Sequence, residues 1–255
     1  MQYGEAIMGK LSGKVALVTG GAGGIGRGIA GVLAAEGADI GIVDKNREGA
    51  KSTADEIQRL GVRSASAEAD VSDEAQSDAA FASVTRTLGD IDILCNNAGI
   101  GTSSPFSDMS LEMWDEMIRV NLRSIFVCTR LVLPAMRRKK WGRIINTASQ
   151  LGHKGAPHLV HYCAAKAGVM GFTRSLAYEV ARDGITVNAI APGPIETSML
   201  ASLPKEWQDA KRAELPIGRF GRVDEVAHTV ALLASDAGSY YVGVTMNMNG
   251  GDYMV

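Results

Sequence analysis

Short β-branched apolar runs alternate along the chain with longer stretches whose apolar positions recur every three to four residues. The runs lie at Val15–Val18, Ile40–Val43, Ile91–Cys95, Arg143–Asn146, Thr186–Ile190 and Val244–Met248, with a weaker one at Val62–Ala67. Most are continuously apolar rather than alternating, as in strands covered on both faces. The amphipathic stretches Ile25–Glu36, Arg47–Leu60, Asp73–Leu88, Leu111–Arg137, Tyr162–Arg182 and Val223–Ala234 read as helices. Gly37, Gly61, Gly89 and Gly184 each follow a helical stretch where a C′ glycine would stop it. Pro134 inside the fourth stretch predicts that this helix ends or kinks there. Strand and helix in this alternation imply right-handed crossovers and an α/β fold. The expected form is a doubly wound parallel sheet of about seven strands between two helical layers.

No linker, repeat or low-complexity tract divides the chain, so a single domain over 1–255 is expected. The alternation pauses only at 192–222, which carries Pro192, Pro194, Pro204 and Pro216. Two readings stand: a mobile lid over a site, or a mere connecting helix and loop.

Composition narrows the function. Among 255 residues, 26 Lys+Arg face 28 Asp+Glu for a net charge of −2. That is no footprint for nucleic acid or an anionic membrane. Aromatic residues are 5%, too few for a base-stacking surface. Cys95, Cys128 and Cys163 are odd in number and far apart, neither a disulfide framework nor a zinc site, which suits a reducing compartment. The start, MQYGEAIMGKLSGK, lacks the pattern of a secretory signal. No apolar run approaches the ~18 residues of a membrane span. A soluble, cytoplasmic protein is expected.

The thirty glycines matter most where Val15–Val18 runs into Thr19-Gly20-Gly21-Ala22-Gly23-Gly24-Ile25-Gly26 and a helix begins. A glycine turn there lets the backbone approach a pyrophosphate, and the helix N-terminus supplies N–H groups and positive dipole. Asp44 ends the next strand, 18 residues after Gly26. A carboxylate there accepts from a ribose 2′-hydroxyl and repels a 2′-phosphate, which favours NAD over NADP. Lys45 beside it would partly tolerate that phosphate, and Asp44 also suits a turn or helix cap.

Tyr162 and Lys166 are four apart at the start of a helical stretch, which puts both on one face. A neighbouring ammonium favours phenolate, and such a pair takes an alcohol's proton while a hydride leaves. Ser149 follows its strand closely enough to bond the same substrate oxygen.

With these motifs the chain resembles the short-chain dehydrogenase/reductase family, in its single-domain members of about 250 residues with a Rossmann-type sheet. Thr19-Gly20-x-x-x-Gly24-x-Gly26 matches its cofactor motif and Asn96-Asn97-Ala98-Gly99 the segment after its fourth strand. Asn121, Ser149, Tyr162 and Lys166 fall in the order and spacing of its catalytic tetrad, and Pro192-Gly193 matches the segment beside the nicotinamide. The resemblance runs from about Lys10 to Asp252.

It implies Tyr162 as general acid/base, Ser149 on the substrate oxygen, and Lys166 on the nicotinamide ribose while lowering the tyrosine pKa. Asn121 would fix a proton-relay water. Gly20, Gly24, Ile25, Gly26, Asn97, Ala98, Gly99, Pro192 and Gly193 would line the cofactor. Asp44 would read its ribose, Asp70 and Val71 its adenine, and Ile195 and Thr197 would close over the carboxamide. Ser149 and Tyr162 would contact the substrate, and the 192–222 segment would be the substrate-binding lobe; apart from the resemblance, the loop after Ser149 adds Leu151, His153 and His158 as expected substrate contacts. A homotetramer is implied, with the Leu111–Arg137 and Tyr162–Arg182 helices pairing and Phe126, Phe172 and Leu176 among the apolar residues on them. Two departures are noted: Asn249-Gly250-Gly251 where Asp-Gly-Gly is common, which bears on packing, and Cys163, read as inert packing.

His153, His158 and His161 cluster between Ser149 and Tyr162, with His158 and His161 at a ligand spacing. The site has a complete metal-free mechanism, so no metal is expected. Either His153 or His158 lines the pocket, or the loop is simply polar. His228 reads as surface or interface. Arg137-Arg138-Lys139-Lys140 reads as cations complementing a helix C-terminus, or as a docking patch for an acidic acyl carrier protein.

The reading that follows is an NAD-dependent oxidoreductase of a secondary alcohol or ketone with a small polar substrate, such as a polyol or sugar, because the loop carries Gln150, His153, Lys154 and His158. The alternative is an NADPH-linked 3-oxoacyl-acyl carrier protein reductase, resembled most around Asp183–Met199 and opposed by Asp44. A non-catalytic nucleotide-binding regulator is disfavoured because Tyr162, Lys166, Ser149 and Asn121 are all present.

Overall fold

Val15–Thr19 forms β1, buried along its whole length, and runs through the glycine turn into α1 (Gly24–Ala35). There follow β2 (Asp39–Asp44), α2 (Arg47–Gln58), β3 (Ser64–Glu68), α3 (Glu74–Leu88) and β4 (Ile93–Asn96). The second half holds α4 (Leu111–Ile118), α5 (Ser124–Lys139), β5 (Gly142–Thr147), α6 (Leu151–Lys154), α7 (Val160–Val180) and β6 (Ile185–Pro192). It closes with α8 (Ser198–Ala201), α9 (Lys205–Glu214), α10 (Val223–Ala234) and β7 (Thr245–Met248). This is a computed structural model, and it describes residues 9–254. The reading of residues 1–8 as lacking a signal, and the outer ends of the 1–255 domain, lie outside that range.

All seven strands are parallel, in the order β3-β2-β1-β4-β5-β6-β7. The fold class read from the periodicity is the one found. Helices cover both faces: Ile29, Leu33, Ile57, Val226, Val230 and Leu233 pack on one, and Phe81, Val84, Val132, Met136 and Val180 on the other. Chain order reverses between β1 and β4, which opens a crevice at the carboxyl ends of those strands. Among the described residues no helix is long and apolar enough to cross a membrane.

The four expected glycine stops all have positive φ. At Gly184 (φ +75°) a Cβ would also stand 2.2 Å from the Lys140 carbonyl oxygen, so no other residue fits. Three elements differ from expectation. The weak run at 62–67 becomes β3 at 64–68, an edge strand with one exposed face, and Val62 packs beside it on the core. The helix expected over 111–137 does not stop at Pro134, which lies inside α5. Its break comes earlier, as a π-helical turn at Arg119–Arg123 that widens the helix around Asn121. The basic run closes α5 at the amino end of the sheet. There Arg137 and Lys140 meet Asp183, Arg138 meets Asp90, and Lys139 meets Asp92. Each cation has a carboxylate, which favours the helix-terminus reading over the docking patch.

Segment 192–222 forms a small lobe. It contains α8 and α9 and a small core of its own, Leu200, Leu215 and Phe220. It also leans over the crevice, for Thr197 Cγ2 lies 3.5 Å from where a Cβ on Gly24 would sit.

Candidate active site

The ends of β1 and β4 are tied together by Thr19 and Asn97. The Thr19 hydroxyl accepts the N–H groups of Asn97 (3.0 Å) and Ala98 (3.1 Å). The Asn97 side-chain amide donates to the carbonyls of Thr19 (3.2 Å) and Gly20 (3.1 Å). A Cβ on Gly20 would lie 2.7 Å from Ala98 Cα, and one on Gly26 only 2.1 Å from the Gly20 carbonyl oxygen. The turn therefore closes only with glycine at both positions. Gly23, the N-cap of α1, offers no side-chain cap, and the first turn of α1 carries no acid. Its N–H groups are left to an anion, which fits a dinucleotide's pyrophosphate.

Asp44 sits at the end of β2, half-buried. One carboxylate oxygen accepts from Ala22 N at 3.0 Å and the other from Asn46 N at 2.9 Å. It thus shapes the turn as well as bringing negative charge to the glycine loop. Asp70 accepts from Ser72 N (3.0 Å), from the Ser72 hydroxyl, and from Arg119 Nη1 (3.3 Å). Burial opposes ionisation of Asp70, but the Ser72 bonds and the Arg119 guanidinium outweigh it and hold the carboxyl below its usual value. Val71 is buried beside it.

Across the crevice Asn121, fully buried on the π-helical turn, reaches back to the segment after β4. It accepts from Ile100 N (3.3 Å) and donates to the carbonyls of Ile100 (3.1 Å) and Met117 (3.2 Å). A Cβ on Gly99 would lie 2.6 Å from Asn121 Oδ1 and 3.6 Å from Lys166 Nζ, so Gly99 sits between these two side chains.

Ser149 follows β5, buried, and its hydroxyl accepts Leu151 N at 3.2 Å. Tyr162 and Lys166 lie in the first two turns of α7. Lys166 Nζ donates to the Thr147 carbonyl at 2.8 Å and stands 5.6 Å from the Tyr162 ring centre. Burial depresses the lysine to about 8. Burial likewise raises the Tyr162 phenol above its ordinary value, and a hydrogen bond with Ser149 draws it partly back. The sequence reading had Lys166 lowering the tyrosine; here desolvation dominates and the phenol keeps its proton at neutral pH.

The remaining positions expected to line a cofactor are placed as follows. Pro192 ends β6, Gly193 packs 2.8 Å (as a Cβ) from Asn249 Cα, Ile195 is buried, and Thr197 caps α8 through Leu200 N. Ile25 is half-buried at the start of α1. The Asn249-Gly250-Gly251 turn serves packing: Cβ atoms there would strike Ile217 (2.6 Å) and Pro216 (2.9 Å).

The expected substrate contacts spread out. Leu151 is half-buried at the head of α6, beside Ser149. His153 stacks on Tyr253 (5.3 Å), and Gln150 and Lys154 both bond Asp252. His158 is exposed with φ +63°. His161 is buried against the Thr102 hydroxyl (3.1 Å), and His228 bonds its own helix. Most of the polar side chains that pointed to a small polar substrate are thus engaged elsewhere. Among the described residues no group of three or more His, Cys, Asp or Glu is arranged to hold a metal ion. Arg119, the Thr147 carbonyl and Asp252 were missed by sequence reasoning. The first had no signal beyond standing two residues before Asn121, and the second is backbone.

A family model described as enoyl-(acyl carrier protein) reductase matches residues 20–252. The 3-oxoacyl-[acyl-carrier-protein] reductase FabG of Aquifex aeolicus is 43% identical over 243 residues, covering 95% of this chain and 98% of that protein. Its namesakes in Escherichia coli and Staphylococcus aureus are 42% and 41% identical at similar coverage. A crystal structure from Sinorhizobium meliloti, assigned by inference as a short-chain alcohol dehydrogenase, superposes with a TM-score of 0.92 at 35% identity over 96% of this chain and 98% of that one.

Proposed function

The chain belongs to the short-chain dehydrogenase/reductase family, nicotinamide-dependent oxidoreductases of CH–OH and keto groups, and on that premise we propose that it reduces the 3-keto group of an acyl thioester with NADH as the favoured donor. The observation that carries this reading is Tyr162 set with Ser149 and the buried Lys166, 5.6 Å from its ring, at the carboxyl ends of the strands. A tyrosine held as phenol is equipped to give a proton, which is the acid's part in reducing a ketone.

The substrate class rests on nearly full-length similarity to proteins named 3-oxoacyl-[acyl-carrier-protein] reductase. The family model is described as an enoyl reductase, whereas the full-length relatives named above are 3-oxoacyl reductases, and we follow the relatives. The lobe adds support, since its exposed Met199, Leu203, Trp207 and Ile217 offer apolar surface for an acyl chain. The polyol reading has lost Gln150, His153 and Lys154 to the C-terminal turn and is not retained.

NADH is favoured because Thr19–Gly26 contains no cation and Asp44 stands bonded to that turn. A 2′-phosphate would meet like charge there. When bound, the nicotinamide supplies the hydride. Ser149 and Tyr162 hold the keto oxygen, Tyr162 passes it a proton as the carbon gains the hydride, and the Lys166 ammonium stabilises the phenolate left behind. Asn121 fixes the segment after β4 through Ile100, beside Lys166, and supports the relay water that reloads the tyrosine. The assembly proposed is a homotetramer through α5 and α7.

Acetoacetyl-coenzyme A with NADH, then NADPH, followed by nicotinamide absorbance, tests the reading. Turnover that favours NADH and vanishes in Tyr162→Phe supports it. Oxidation of a polyol or sugar with NAD, and no thioester reduction, overturns it.

A further inference from the structure

The helix α9 of the lobe has no buried residue, so no apolar core fixes it to the body of the protein. Its firmest attachment is Lys211, whose side chain is only 15% exposed and whose Nζ reaches Asp252 at 2.8 Å. Arg212 adds a contact over the Phe220 ring, inside the lobe itself. Asp252 is 7% exposed and gathers three donors from three segments. They are Lys211 of α9, Lys154 of α6 (2.8 Å), and the amide of Gln150, the residue after Ser149. Around this carboxylate the C-terminal turn is stiff. Asn249 donates to the Tyr253 carbonyl at 2.7 Å and accepts from Gly251 N at 3.0 Å, and Tyr253 stacks on His153.

We infer that Asp252 is a positioning residue that sets where α9 stands over the crevice, and thereby the affinity for the substrate rather than for the cofactor. A buried carboxylate among three donors gives a stiff, directional joint, and removing it leaves the largely buried Lys211 ammonium with only the exposed Glu214 of its own helix, at 3.1 Å. Helix α9 then relaxes outward, while Thr197, the glycine turn, Asp44 and Asp70 keep their contacts. Because Gln150 adjoins Ser149, the same carboxylate registers the lobe against the residue proposed to hold the keto oxygen. The inference rests on the lobe's proposed role in holding substrate.

The test compares Asp252→Asn, Lys211→Met and the double variant in the full chain. Hydrogen–deuterium exchange of residues 205–214 needs no substrate and reads the joint directly. Exchange there is expected to rise in both single variants, while residues 15–44 stay protected. The KM for acetoacetyl-coenzyme A is expected to rise by about tenfold, with the NADH KM within about twofold, and the double variant no worse than either single one, as for two residues of one interaction. Lys211→Met, which leaves Asp252 its bonds to Lys154 and Gln150, keeps the test open if Asp252→Asn folds poorly. Unchanged exchange at 205–214 overturns the joint. Raised exchange with an unchanged substrate KM overturns the link to affinity, as do additive effects in the double variant. A failure of the thioester reading shows separately, as absent turnover in the unsubstituted protein.

Discussion

The carboxylate of Asp44 accepts the amide N–H of Ala22 at 3.0 Å, which fastens the end of β2 to the glycine turn. Its other oxygen takes Asn46 N, so two of about four acceptor positions are used and the rest are left for the ribose hydroxyls of the proposed cofactor.

The first prediction follows from that geometry. Asp44→Ala should cut the preference for NADH over NADPH in kcat/KM by about tenfold or more, the scale of one charge-assisted hydrogen bond lost. Measuring both cofactors with one keto substrate decides it. An unchanged ratio would confine Asp44 to shaping the turn.

Lys166 makes the second. Its folded value of about 8 lies below the 10.5 of a free lysine. Between those values the unfolded chain binds more protons than the folded one, so this group's contribution to stability rises with pH across that window. Below about pH 8 folding bears the whole cost of burying the ammonium, roughly 3 kcal/mol. The Thr147 bond offsets about 1 kcal/mol of it. Lys166→Met should therefore be more stable than the native protein at neutral pH, while turnover collapses. The stability gain should shrink as pH rises from about 8 to 10.5, read as denaturation midpoints at each pH. A variant less stable at neutral pH would refute the assigned cost.

The third concerns assembly. Phe126 is 53% exposed on α5, and Phe172 and Leu176 are half-buried on α7. If these helices pair across a two-fold, each Phe126 is covered, and a substitution there is felt twice per interface. Light scattering at micromolar concentration should give four chains for the native protein and a smaller species for Phe126→Lys. A native monomer would end the tetramer proposal.

What was legible in the sequence were features that obey a local rule. Gly20, Gly24 and Gly26 announced the cradle because their spacing is set by the turn itself, and the buried strands showed as apolar runs. Features set by distant packing were not legible. The break near Asn121 occurs without proline or glycine, since the amide's bonds to Ile100, 21 residues away, hold the widened turn open. Pro134, a strong local signal, is overruled inside α5 by the packing of Val132 and Met136 beneath the sheet. Tyr162 and Lys166 were identifiable by spacing, but the sign of the tyrosine's shift depends on burial, which spacing does not encode.

The last prediction uses Gly99. A Cβ there would stand 2.6 Å from Asn121 Oδ1, and the amide cannot retreat cheaply because it is buried and bonded to both the N–H and the carbonyl of Ile100. Lys166 Nζ, 3.6 Å from the same point, is in ordinary contact and need not move. Gly99→Ala should therefore act through Asn121. Turnover should fall by about a hundredfold, as expected when a site's support is displaced by about 1 Å. NADH binding should weaken much less, because the glycine turn and Asp44 are untouched. Paired measurements of kcat and of NADH binding separate the two effects. A variant with native kcat would mean that the amide yields freely, and that the position of Asn121 does not govern the chemistry.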